Sequence, residues 1–282
     1  MTPNDVIKMA KDEKVEFVDL MYGDMFGILQ HFSYPVYRLD ESMFKDGIAF
    51  DGSSIRGWKS IDKSDMLMMP DPNSAFIDPF RAHKTLNLFC DILEPRTGEL
   101  YDRDPRSIAK KALAYLKASG IGDTAYFGPE PEFFLFDDVK YKVSMNHNFY
   151  QIDDVEMPHN TSTDFPEGNM GHRPGVKGGY FPVPPVDAFH DIRGAMCGAL
   201  ADMGLVVEVH HHEVATGGQC EIGVGSGTLV AVASLVRRGT SSRLQPVARY
   251  GSRSAGSARR TQSSQATQPA TRGEWAAGSS IS

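Results

Sequence analysis

Apolar and polar positions alternate in short runs through the first hundred residues, a pattern that predicts a small α+β unit. Thr2-Pro3 is a helix cap followed by proline at the first helical position, and a short helix is predicted to run to about Lys14. Val15–Met21 reads as a strand, the Gly23-Asp24 region as its turn and Gly27–Phe32 as the returning strand. Phe50-Asp51-Gly52-Ser53-Ser54 is a polar, glycine-bearing loop. Pro70, Pro72 and Pro79 break the next stretch, and Thr85–Leu93 is a further strand.

A second unit starts near Asp104-Pro105, again a cap plus proline. The helix that follows carries Ile108, Ala112, Leu113 and Leu116 on one face, expected to be buried, and stops at Gly120. Tyr126–Phe136 reads as one strand. Asp187 is expected to cap a helix whose Phe189, Ile192, Met196, Leu200 and Met203 recur every three or four residues. Leu205–Val214 is a strand, Gly217-Gly218 a turn and Gln219–Val224 its partner. No internal repeat is visible.

The composition of the 282 residues is that of a globular chain, with 41% hydrophobic and 23% charged residues. The net charge of -7 argues against a general nucleic-acid binder. No apolar run approaches the ~20 residues of a membrane span, and the first residues lack the apolar core of a signal peptide. Cys90, Cys197 and Cys220 show no CxxC spacing and read as reduced thiols of a cytoplasmic protein. The charge is unevenly spread: residues 239–282 carry six Arg, no Lys and one acid, while 1–238 balance to -12. That tail also holds ten Ser, and its large apolar residues follow no period, so it is expected to be disordered.

Chemistry concentrates in two acidic pairs. In Phe127-Gly-Pro-Glu-Pro-Glu-Phe133, Glu130 and Glu132 lie two apart, which on a strand places them on one face roughly 7 Å from each other. Pro129 and Pro131 cannot donate ladder hydrogen bonds, so this piece belongs at a sheet edge or barrel rim. Glu213 and Glu221 flank the Gly217-Gly218 turn, and a hairpin would bring them onto adjacent strands. Carboxylates without clustered thiolates suit a hard divalent cation, Mg²⁺ or Mn²⁺. Solvated strand edges and ordinary hairpin carboxylates are the competing readings. Alternation sends His211 to one face and His210 and His212 to the other, so a three-histidine zinc site is disfavoured.

These stretches resemble bacterial type I glutamine synthetase. Phe50-Asp-Gly-Ser-Ser-Ile-Arg-Gly-Trp58, Gly128-Pro-Glu-Pro-Glu-Phe133, Gly178-Gly-Tyr-Phe-Pro-Val183 and His211-His-Glu-Val-Ala-Thr-Gly-Gly-Gln-Cys-Glu221 follow the family's order and separations. The resemblance implies an α+β fold, with an N-terminal β-grasp domain over 1–103 and a partial α/β catalytic domain over 104–230. It implies that Glu132, Glu213 and Glu221 hold one divalent metal and that Glu130 contributes to a second. Glu208 would contact the nucleotide, and His211 would lie near the transferred phosphoryl group. Asp51 would reach into a neighbouring subunit's site to bind and deprotonate ammonium; from sequence alone a turn-forming role serves it equally. The implied reaction joins ammonia to L-glutamate at the expense of ATP, in a homo-oligomer (a dodecamer in the family).

Beyond Glu221 the resemblance fades, and Ala231 onward has none. The Arg-, Ser-, Ala- and Gly-rich segment 231–282 resembles a GC-rich coding sequence read in another frame, so a truncated or frameshifted product is expected. Two further readings stay open. One is a catalytically inactive remnant that retains partial metal or nucleotide binding, and the other is a ligase of the same fold acting on another amine. Loss of later barrel strands is also expected to leave apolar residues such as Phe133–Phe136 uncovered.

Overall fold

The computed structural model describes residues 1–161, 163–225 and 227–228; the expected disordered segment 231–282 lies outside the described residues. The chain opens with α1 (Pro3–Asp12), whose capping box is complete: Thr2 Oγ1 accepts from Asp5 N, and the Asp5 carboxylate accepts from Thr2 N at 2.7 Å. The helix lays Val6 and Ala10 on a mixed sheet. That sheet comprises β1 (Phe17–Gly23), β2 (Leu29–Pro35), β3 (Ile48–Asp51), β4 (Asp65–Pro70), β5 (Phe76–Ile77) and β6 (Thr85–Leu93), with α2 (Glu41–Lys45) placed between β2 and β3. The strand order is β2-β1-β6-β4-β3, with β5 also on β6. β1 and β6 run parallel and every other pair is antiparallel.

β1 and β6 are central, so both of their faces are covered. Val18, Leu20, Leu86, Leu88 and Ile92 join Met66 and Met68 in the main core, while Met21, Phe76 and Phe89 pack on the other side with Met203. The prolines at 70 and 72 were expected to break the chain, yet β4 and β5 form around them. Pro70 ends β4 opposite Cys90, where its missing N–H costs the ladder little. All three cysteines are free.

The second part begins with α3 (Pro105–Ser119), capped by Asp104 and closed by Gly120 in the left-handed region, both as the sequence predicts. Its buried side differs from expectation. Ile108 is 52% exposed, and the buried residues are Arg106, Ser107 and Ala109. The helix is fastened to the sheet by charge: Arg106 Nε donates to Asp91 at 3.0 Å and its Nη2 to Asp71 at 2.5 Å, and Lys110 pairs with Asp91. The predicted strand over 126–136 is interrupted, giving β7 (Tyr126–Phe127) and β8 (Glu132–Phe134). The carbonyls of Pro129 and Pro131 between them accept from Val224 and Ile222, so the chain stays alongside its neighbour without donating.

A hairpin of β9 (Asp138–Val143) and β10 (Asn148–Asp153) follows, and then a long segment leads to α4 (His190–Asp202). Asp187 does not cap α4. Phe189 occupies the cap without a side-chain bond, and the Asp187 carboxylate grips the fully buried Arg193 instead. β11 (Val207–His212) and β12 (Gln219–Val224) pair across the expected glycine turn, and β8 adds to β12, giving the order β11-β12-β8. β13 (Gly227–Thr228) pairs with β7. Phe134, the last residue of the edge strand β8, and Phe136 just beyond it stack on each other and stay exposed. Among the described residues no helix is long and apolar enough to cross a membrane.

Candidate metal centre

The turn that builds the site needs its two glycines. Gly217 and Gly218 have φ of 82° and 70°, and a Cβ at either would enter occupied space: Met157 at 2.6 Å for the first, the Phe189 ring and the Asp154 carboxylate for the second. The turn sets β11 against β12 with His211 opposite Glu221 and His212 opposite Cys220. Glu221 is in turn opposite Glu132 of β8. One row across the sheet therefore reads His211, Glu221, Glu132, all on one face.

Glu213 lies just beyond β11 on that face, its N–H donating to Gln219 O at 2.8 Å. His211 Nδ1 lies 3.7 Å from Glu213 Oε1, and its Nε2 lies 3.5 Å from Glu221 Oε1. One donor atom from each of His211, Glu213 and Glu221 falls within 4.8 Å of the others. His211 Nδ1 also approaches His212 O at 3.1 Å, and the Nε2 edge of the ring faces Glu221. Tyr180 and Phe181 wall the imidazole edge-on, with Phe181 at 4.6 Å. Gly179 permits this approach: its N–H donates to Val214 O, and a Cβ there would lie 2.7 Å from two carbonyl oxygens.

The electrostatics fit a cation. The Glu221 carboxyl is pushed above its ordinary range, first by burial, then by a hydrogen bond with Glu213 and by the charge of Glu130, with His211 acting in the opposite direction. Among the described residues no Arg or Lys forms an ion pair with Glu130, Glu132, Glu213 or Glu221. Crowded carboxylates plus one imidazole nitrogen, without thiolate, make a donor set for a hard or borderline divalent ion.

The site residues expected from sequence are not all gathered. Glu213 and Glu221 are together, and His211 joins them. Glu132 is in the right row, but its Oε2 accepts from Gln219 Nε2 at 2.8 Å and is outside the three-residue cluster. Glu130 is exposed on the proline-flanked approach, near enough to Glu221 to oppose its ionisation. Glu208 is exposed where the β11 register shifts between Val207 and Val209. Asp51 caps the turn at Gly52–Ser54, accepting from Ser53 N at 2.8 Å, Ser53 Oγ and Ser54 Oγ, and these bonds hold its carboxyl below the usual range. The turn-forming reading is thus realised for Asp51, with its side chain still at the surface.

Beneath the sheet lies a polar layer that sequence reading missed. Arg193 donates to both oxygens of Asp187 and to Cys220 Sγ, and His212 pairs with Glu156 at 2.8 Å. The signal available was the alternation of the three histidines, which already turned His210 and His212 away from the carboxylates.

Both parts of the chain are similar to known proteins. Residues 14–95 match the family described as glutamine synthetase, beta-Grasp domain, and residues 102–237 match glutamine synthetase, catalytic domain. A glutamine synthetase of Methylococcus capsulatus is 57% identical over 236 residues, covering 84% of this chain and 50% of the relative. A Cupriavidus pinatubonensis protein named 3-hydroxylaminophenol mutase is 56% identical over 226 residues, covering 80% and 48%. The cryo-EM structure of Plasmodium falciparum glutamine synthetase superposes with a TM-score of 0.72 at 26% identity, covering 84% of this chain and 48% of that one. The chain spans about half the length of the curated relatives it matches.

Proposed function

The chain belongs to the glutamine synthetase family, and on that premise we propose that it serves the ATP-dependent ligation of ammonia to L-glutamate, giving L-glutamine through a γ-glutamyl phosphate. The observation that carries this reading is the convergence of His211, Glu213 and Glu221 on one face, with Glu132 in the same row. These residues would hold Mg²⁺ or Mn²⁺, with Glu130 contributing to a second ion. A bound divalent cation offsets the repulsion between an anionic acceptor and a triphosphate.

The chain's own groups do the rest. Glu208 is free at the surface to meet the nucleotide. His211, walled by Tyr180 and Phe181, is held against rotation near the transferred phosphoryl group. Asp51 stays ionised because its turn donates to it, which suits binding ammonium and taking a proton from it. Its exposed position agrees with action at a neighbouring subunit's site in a homo-oligomer. A cytoplasmic location accords with the three free cysteines.

A second reading rests on one observation: the described residues bring no arginine or lysine into ion-pairing reach of the carboxylates. Phosphoryl transfer draws on cationic side chains at the phosphates, and a chain that supplied none there would bind metal or nucleotide without turnover. A coupled assay for ATP- and glutamate-dependent amide formation, with Glu221→Ala as control, separates the two. Turnover lost in the variant supports the ligase. Metal binding without turnover supports the second reading.

A further inference from the structure

His212 stands between His211 and Glu213 in sequence but on the opposite face, only 1% exposed. Its ring is fixed from three sides. Nδ1 lies 2.6 Å from the carbonyl oxygen of Glu213, which can only accept, so this nitrogen donates. Nε2 lies 2.8 Å from Glu156 Oε2, and Glu156 Oε1 accepts from the Ala188 backbone N–H at 2.5 Å. A Cβ on Gly179 would lie 2.7 Å from His212 Cε1, so the backbone of that segment closes the remaining side. Glu156 is itself buried.

The consequence falls on Glu213. Its N–H is taken by Gln219 O and its carbonyl by the His212 ring, so both peptide groups flanking its Cα are tethered at the point where β11 ends. With those fixed, the side chain leaves the backbone toward His211 and Glu221.

We propose that Glu156 and His212 are positioning residues for the divalent-cation centre, acting through the Glu213 backbone; the inference rests on the metal reading above. The chain Ala188 N–H, Glu156, His212, Glu213 carbonyl ties the approach to α4 to the opposite face of the sheet. Outer partners of this kind change metal affinity by about 10- to 100-fold when removed.

The test is Mn²⁺ binding to the full chain, followed by the paramagnetic resonance of free Mn²⁺, with melting in chelator recorded alongside. Glu156→Gln, close in shape and remote in sequence, is expected to weaken binding by about tenfold or more, as is His212→Ala. His212→Asn, whose amide can donate to the Glu213 carbonyl from the place of Nδ1, is expected to recover part of the loss. Binding within about twofold of the parent in Glu156→Gln and His212→Ala, while Glu213→Ala loses it, overturns the positioning role. So does an Asn variant no better than Ala, with affinity falling only in step with the melting temperature in chelator. If the parent shows no Glu213-dependent Mn²⁺ binding, the metal reading itself fails and this inference falls with it.

Discussion

Glu132 and Glu221 stand directly opposite one another on antiparallel strands, yet the Glu132 carboxylate accepts from Gln219 while Glu221 faces His211. Two acids in this register repel unless something intervenes, and the Gln219 amide occupies one of them. A divalent ion has Glu213, Glu221 and His211 as a starting set, with Glu132 beside Glu221 in the same row.

Metal binding should therefore stabilise the fold. At an Mn²⁺ concentration 100 times the dissociation constant the gain is about 2.7 kcal/mol, read as a rise in melting temperature that chelator reverses. Glu221→Ala should abolish that rise while melting normally in chelator. An unchanged metal-dependent rise in the variant would remove Glu221 from the centre.

The glycine turn offers a matched pair of substitutions. Gly218→Ala combines a positive φ with a collision against the Phe189 ring and should cost at least ~2 kcal/mol and disturb metal binding. Gly120→Ala has the positive φ but open space around it, so a loss of about 1 kcal/mol with metal binding intact is expected. Urea melts of both variants check the difference.

Asp154 is a source of pH dependence. Its Oδ1 accepts from Glu156 N, its Oδ2 has no hydrogen-bond partner among the described residues, and burial pushes its carboxyl up to about 7 from 3.8. A carboxyl with a raised folded value holds its proton more tightly folded than unfolded. Its contribution is thus fully present below about pH 4 and is lost as pH rises toward 7, by at most ~4 kcal/mol. Asp154→Asn should flatten that slope in melts taken across this range.

Arg106 and Lys110 both pair with Asp91, but they should not count alike. Arg106 is buried between Asp91 and Asp71, and Arg106→Met would leave Asp71 without its cation and Asp91 with Lys110 alone, a loss of about 3 kcal/mol. Lys110 is partly exposed, and Lys110→Ala should cost no more than ~1 kcal/mol. Denaturant midpoints measured side by side decide it.

Much of this was legible in the residues. Thr2-Pro3, Asp104-Pro105 and Gly120 mark helix ends by local chemistry, and those ends are where the structure has them. The acids across Gly217-Gly218 and the sorting of the three histidines follow from strand alternation alone, and the family match extends the fold over both parts. What failed was whatever depends on distant partners. The apolar stripe of α3 was expected to be buried, but Asp71 and Asp91 hold the helix by Arg106 instead. Asp187 was read as a cap because nothing local announces Arg193 as its partner. Glu156 and His212 lie 56 positions apart, with no pattern to join them. The β9–β10 hairpin, by contrast, carried a visible signal: Val139, Tyr141 and Val143 alternate before the Ser144–His147 turn.

The order in which this centre assembles follows from its wiring. His211, Glu213 and Glu221 all sit within one tight hairpin, so closing that loop costs little chain entropy and needs no other strand. Glu132 arrives from 87 positions before Gln219, its partner, and docks late. A cation present while the chain folds would thus find three donors early and recruit the fourth, making the ion a nucleus for β8 as much as a passenger on the finished sheet.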